Sequence, residues 1–105
     1  MCMAPLGDSE IEQRLQELSD WRRAGGTPEG TGDQAPSIER DFRFPDFAAA
    51  ISFVDHVAER AEAANHHPDI LVHGWNKVRL TLSTHSQGGL TEADFALARE
   101  IDALV

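Results

Sequence analysis

Between Lys77 and His85 the chain alternates without a break. Val78, Leu80, Leu82 and Thr84 fall on one side, and Lys77, Arg79, Thr81, Ser83 and His85 on the other. A period of two predicts a β-strand with one face on a core and the other face polar. A second run, Ser37 to Phe44, sets Ile38, Arg40, Phe42 and Phe44 against Glu39, Asp41 and Arg43. It predicts another strand, with one cation, Arg40, among its apolar positions. DILVHGW, residues 69 to 75, reads as a strand with a turn at its end, and Trp21 to Arg23 as the start of an edge strand.

Elsewhere the period lengthens. Phe47, Ala50, Ile51, Val54, Val57, Ala58 and Ala61 recur at three- and four-residue spacing, an apolar stripe of about four helical turns. Pro45 and Asp46 stop the preceding strand and open this helix. The helix must end close to His67, because the residue before Pro68 is pushed out of the α region. Ser9 with Glu12 fits a capping box for a first helix carrying Ile11, Leu15 and Leu18, to about Ser19. After a turn at Gly88 and Gly89, Thr91 caps a last helix, with Asp94 in the capping-box position and Leu90 placed to staple against Phe95; Leu97, Ala98, Ile101 and Leu104 continue its stripe. The order helix, strand, strand, helix, strand, strand, helix predicts an α+β fold: an antiparallel sheet with helices on one face.

A chain of 105 residues is one domain, 1–105, with a single core. The stretch 24 to 36 holds four glycines and two prolines and reads as a flexible loop within that domain. With 18 acidic against 9 basic residues the net charge is -9, which repels nucleic-acid phosphates and anionic membrane surfaces and excludes both as partners. Cys2 has no second cysteine to pair with, and the first residues lack the apolar stretch of a signal peptide. Those features suit a reducing compartment, so a cytoplasmic location is expected.

The candidate chemistry lies in EAANHHP, residues 62 to 68, and in His85. Imidazole titrates nearest neutral pH, so such a group suits proton transfer, metal binding or a pH switch. His66 follows Glu62 by four residues, within reach of a carboxylate that would orient the ring and favour its charged form. His67, one residue on, points elsewhere. If the strand end carrying His85 lies beside the helix terminus, three imidazoles border one polar pocket able to move protons. Three imidazoles could also hold zinc with an open position. Against that, HExxH is absent, no cysteine is in range and adjacent histidines seldom reach one ion, so no metal is expected. His56 and His73 read as ordinary surface or half-buried residues.

From Glu62 to Asp94 the sequence EAANHHPDILVHGWNKVRLTLSTHSQGGLTEAD resembles the signature of the pterin-4a-carbinolamine dehydratases, with weaker agreement from Ile38 to Leu104. The resemblance implies an αββαββα layout with a four-stranded antiparallel sheet. It also implies a dehydration without cofactor, in which 4a-hydroxytetrahydropterin loses water to give the quinonoid dihydropterin. By the same resemblance His66 and His85 are the acid and base, His67 binds substrate or assists, and Asn65, Ser83, Thr84 and Ser86 border the pterin. Many relatives have aspartate where Asn65 stands, so a charge near the histidines is missing here. Trp75 fits either packing at a strand turn or a wall of the pterin site. Asp94 is kept as a helix cap. Family members form homodimers or homotetramers, by pairing sheet edges or packing helices. Others of this fold are non-catalytic, as a partner of a transcription factor or an assembly factor for the carbon-fixing carboxylase; the assembly factors tend to lose the histidine set that is intact here.

Overall fold

The computed structural model describes residues 6–18, 20–24, 37–84 and 90–105. The elements follow in the expected order: α1 (Asp8–Glu17), β1 (Arg22–Ala24), β2 (Ser37–Arg43), α2 (Phe47–Ala64), β3 (Asp69–His73), β4 (Lys77–Leu82) and α3 (Glu92–Asp102). The four strands form one antiparallel sheet in the order β1-β2-β4-β3. The predicted glycine-rich loop from residue 25 onward and the Gly88–Gly89 turn lie outside the described residues; Ala24, expected in that loop, closes β1 opposite Ser37.

Alternation along the strands sorts the two faces of the sheet. Ile38, Phe42, Val78, Leu80 and Leu82 are buried, in one cluster with Ile11 and Leu18 of the α1 segment, Ala50, Phe53, Val57 and Ala61 of α2, and Phe95, Leu97, Ala98 and Ile101 of α3. The opposite face carries Glu39, Asp41 and Arg43 of β2, opposite Thr81, Arg79 and Lys77 of β4. Phe53 stacks at tilted angles on Phe42 and Phe44, with ring centroids 4.6 and 5.0 Å away, which anchors α2 over the end of β2.

Arg40, the cation among the apolar positions of β2, has a specific role. Its guanidinium lies 4.4 Å from the Phe42 ring centroid and donates to Asp102 Oδ1 at 2.6 Å. Trp21 Nε1 donates to the same oxygen at 2.8 Å. A carboxylate in the last turn of a helix opposes the helix dipole; at Asp102 the arginine offsets that cost. One anion therefore joins the end of α3, the middle of β2 and the approach to β1.

Two details differ from the sequence reading. The first helix is capped at Gly7, whose N–H donates to Glu10 Oε1 at 3.2 Å, and not at Ser9 with Glu12. The extra half-turn accompanies docking of Leu6, whose N–H reaches Leu90 O at 2.7 Å. In α2 the buried positions are Ala50, Phe53, Val57 and Ala61, while Phe47, Ile51 and Ala58 of the expected stripe are exposed. The apolar arc of this helix is wider than the surface it covers.

Asp102→Ala removes the acceptor of two partly buried donors at once. We expect a loss of about 2 kcal/mol, the cost of leaving buried donors unsatisfied. Trp21→Phe, which leaves Arg40 paired, should cost less. Urea unfolding followed by circular dichroism measures both.

Candidate functional site

The site begins where α2 ends. Asn65 adopts a left-handed backbone, φ 51° and ψ 42°, which asparagine tolerates better than most residues because its side chain can bond locally. The reversal lets His66 N–H return to Ala61 O at 3.0 Å and Asn65 N–H to Glu62 O at 3.2 Å, closing the orphan carbonyls of the last turn. It also separates the two rings. The His66 side chain turns inward and is 13% exposed, whereas that of His67 is 58% exposed.

Inside, His66 Nε2 lies 2.6 Å from Asp94 Oδ1. Asp94 belongs to the first turn of α3 and is fully buried. Its second oxygen, Oδ2, accepts the Thr91 N–H at 2.9 Å and the Thr84 hydroxyl at 2.7 Å. The hydroxyls of Thr84 and Thr91 are 2.9 Å apart. Nε2 and Oδ1 thus share one hydrogen bond, and Nδ1 is the ring nitrogen that Asp94 does not engage. A ring held this way has a fixed orientation.

The expected pairing of Glu62 with His66 does not form. Glu62 Oε2 meets His67 Nε2 at 2.6 Å on the surface, five residues on. Four-residue spacing brings side chains together only while the helix continues, and the left-handed Asn65 redirects the chain before His66 arrives. Exposed pairs of this kind are worth little in stability. His66 and His67 are thus committed to different carboxylates.

Asn65 is exposed beside His66 and shapes the helix end. The hydroxyl proton of Thr84 goes to Asp94, and Ser83 is half-buried just ahead of it. Trp75 sits in the turn between β3 and β4, 61% exposed, at the far end of β4 from Thr84. At about 3.3 Å per residue that is more than roughly 20 Å along the strand, so one protomer does not bring Trp75 to His66. His85 and Ser86 lie outside the described residues. The residue that spacing alone undervalued is Asp94. Its capping role is confirmed, yet a cap uses one carboxylate oxygen, and the other was free to hold an imidazole.

Residues 4–104 match the family model for pterin 4 alpha carbinolamine dehydratase. A provisionally named pterin-4-alpha-carbinolamine dehydratase from Acidobacterium capsulatum is 50% identical over 103 residues, 98% of this chain and 100% of its own. One of the same provisional name from Roseiflexus castenholzii is 48% identical over 102 residues, covering 97% and 98%. Among solved structures, a transcriptional coactivator/pterin dehydratase from Brucella melitensis superposes with a TM-score of 0.81 at 35% identity over 95% of this chain and 97% of that one. A pterin dehydratase-like protein identified as a RuBisCO assembly factor in the alpha-carboxysome gives 0.60 at 30% identity, covering 81% and 88%.

The left-handed residue ahead of His66 gives a direct test. Asn65→Gly should leave stability within a few tenths of a kcal/mol, whereas Asn65→Val should lose about 1–2 kcal/mol, the penalty for a side chain forced into that region. Thermal unfolding distinguishes them, and equal losses in both would mean that the backbone conformation is not what the residue supplies.

Proposed function

The chain belongs to the pterin 4 alpha carbinolamine dehydratase family, and from that premise we propose that it dehydrates a 4a-hydroxytetrahydropterin to the quinonoid dihydropterin by histidine acid–base catalysis. The observation that carries this reading is the buried pair of His66 and Asp94, with the carboxylate anchored on Thr84 and Thr91.

The chemistry asks for one proton in and one proton out. The C4a–OH bond breaks as the neighbouring ring nitrogen pushes its lone pair toward the carbon. A positioned acid supplies a proton to the departing hydroxyl, which leaves as water, and a positioned base takes a ring N–H proton. Nothing is oxidised or reduced, so the residues need only hold and move protons. Nδ1 of His66 is the available atom for one transfer, and His85, assigned by the family resemblance, serves the other. His67 and Glu62 form the polar rim, where an exposed ring contacts the pterin. Asn65, Ser83 and Ser86 hydrogen-bond it, and Trp75 reaches a pterin only from a neighbouring subunit.

A second copy fits the free edge of the sheet. Among the described strands β3 pairs on one side only, and Ile70 and Leu71 on it are 38% and 51% exposed, an apolar edge of the kind that isolated monomers blunt. Pairing of two such edges gives a homodimer. Leu71→Lys should shift sedimentation equilibrium from dimer to monomer, and an unchanged mass would rule out this edge.

Catalysis is tested by generating the carbinolamine with an aromatic amino acid hydroxylase and following its loss by absorbance. The wild-type chain should accelerate dehydration, and His66→Ala or His85→Ala should each cost about 10²- to 10⁴-fold, the range for removal of a positioned acid or base. Asp94→Asn should lower kcat with little change in KM. A wild-type chain that leaves the rate at its uncatalysed value would favour the non-catalytic reading, an interaction or assembly factor on the same fold.

A further inference from the structure

The opposite end of the sheet holds a feature that the dehydratase reading does not use. On the face away from the helices, Arg43 of β2, Lys77 of β4 and His73 of β3 are direct register partners, side by side across three strands. They line an open recess of about 180 Å³ together with Asp41 and Phe42. Like charges placed directly opposite one another across a sheet destabilise it. Lys77 is the chain's single lysine, and it stands between an arginine and a histidine in a protein of net charge -9.

The adjoining row shows what neutralisation looks like on this face. Asp41 accepts from Arg79 Nε at 2.7 Å and from Arg22 at 3.0 Å. Arg22 also reaches Glu39, at 3.0 Å. The Arg79 hydrogen bond, followed by that of Arg22, holds the Asp41 carboxyl down at about 2, so it is ionised and already satisfied by two guanidinium groups. No comparable acceptor faces the end row: among the described residues no carboxylate pairs with Arg43, Lys77 or His73. The three strands span about 10 Å, so side chains from both flanks can close on one small ion. The backbone beneath is specialised as well. Gly74 and Trp75 both have positive φ, 57° and 61°, and a left-handed tryptophan is an uncommon conformation that costs energy. The tight turn lets Lys77 fold back over Gly74, where the methyl of an alanine would meet Nζ at 3.5 Å.

We propose that Arg43, Lys77 and His73 form an oxyanion-binding site on the open face of the sheet, for a small molecule bearing a phosphate or carboxylate group. The guanidinium supplies a planar pair of donors and the ammonium a mobile point charge, a combination suited to a compact anion. Binding would supply the counter-charge that the row lacks. The site stands apart from His66 and does not depend on the dehydratase reading.

The test is titration of isotopically labelled protein with inorganic phosphate, and in parallel with succinate, at constant ionic strength, monitored by amide chemical shifts. The amides of Arg43, His73 and Lys77 should shift saturably with one of the two anions, and which one saturates assigns the group recognised. The double variant Arg43→Gln, Lys77→Gln should weaken binding by at least about tenfold, as expected for loss of charge-assisted hydrogen bonds, with the dehydration rate unchanged and the unfolding midpoint the same or higher, since a like-charge pair is removed. Shifts that stay linear with both anions, that spread equally to Arg22 and Arg79, or that survive the double variant would overturn the proposal.

Discussion

A carboxylate sealed from water must have both oxygens satisfied, and in this protein that single requirement organises the histidine end of the sheet. Asp94 is fully buried, and the donors to its carboxylate come from three separate places: His66 just past α2, Thr84 just past β4, and the backbone of Thr91 ahead of α3. An isolated ion at that depth would cost many kcal/mol, so the surrounding donors must assemble together or the site does not form. The same demand makes the imidazole rigid. Orientation of the His66 ring is thus a by-product of completing a buried hydrogen-bond set.

Much of the architecture was legible in the residues because strand alternation and capping chemistry are local signals. Val78, Leu80 and Leu82 face the core as their period dictates, and Thr91 with Asp94 caps α3. The histidine arrangement was legible only in part. Four-residue spacing suggested Glu62 for His66, but spacing describes a continuing helix, and Asn65 ends it in a left-handed turn that the residue type permits without announcing. Asp94 was readable as a cap and not as the histidine's partner, since the second bond spans 28 residues and depends on how α2 and α3 meet. The widths of apolar arcs were also misleading. Periodicity counts the hydrophobic positions of α2 but does not say which flank of the arc finds a partner.

Arg40 shows the same limit from the other side. A cation among apolar strand positions looks like an intrusion, yet its guanidinium lies over the Phe42 ring while it meets Asp102 and, more distantly, Asp20 at 3.6 Å. Amphipathic side chains can cover a core and keep their charge paired at its rim. Together with Trp21 this ties the approach to β1 onto the end of α3, while at the other edge of the sheet β3 exposes Ile70 and Leu71. The two edges are therefore managed differently, one by a short strand and ion pairs, the other by exposed Ile70 and Leu71.

The two ends of β4 can be varied separately, and the reason is geometric. Thr84 belongs to a part-buried network, with every buried polar atom partnered among the described residues. Lys77, seven residues away along an extended strand, belongs to a wet row of like charges. Strand geometry puts roughly 20 Å between them, beyond the 7–10 Å within which substitutions normally couple, and about twice the screening length at physiological salt. The rigid strand between has buried Val78, Leu80 and Leu82 on one face and no titratable group there to relay a charge. Within one protomer a ligand at the hairpin end would thus act on the histidine end only by shifting β4 as a body, which the register on both of its sides resists.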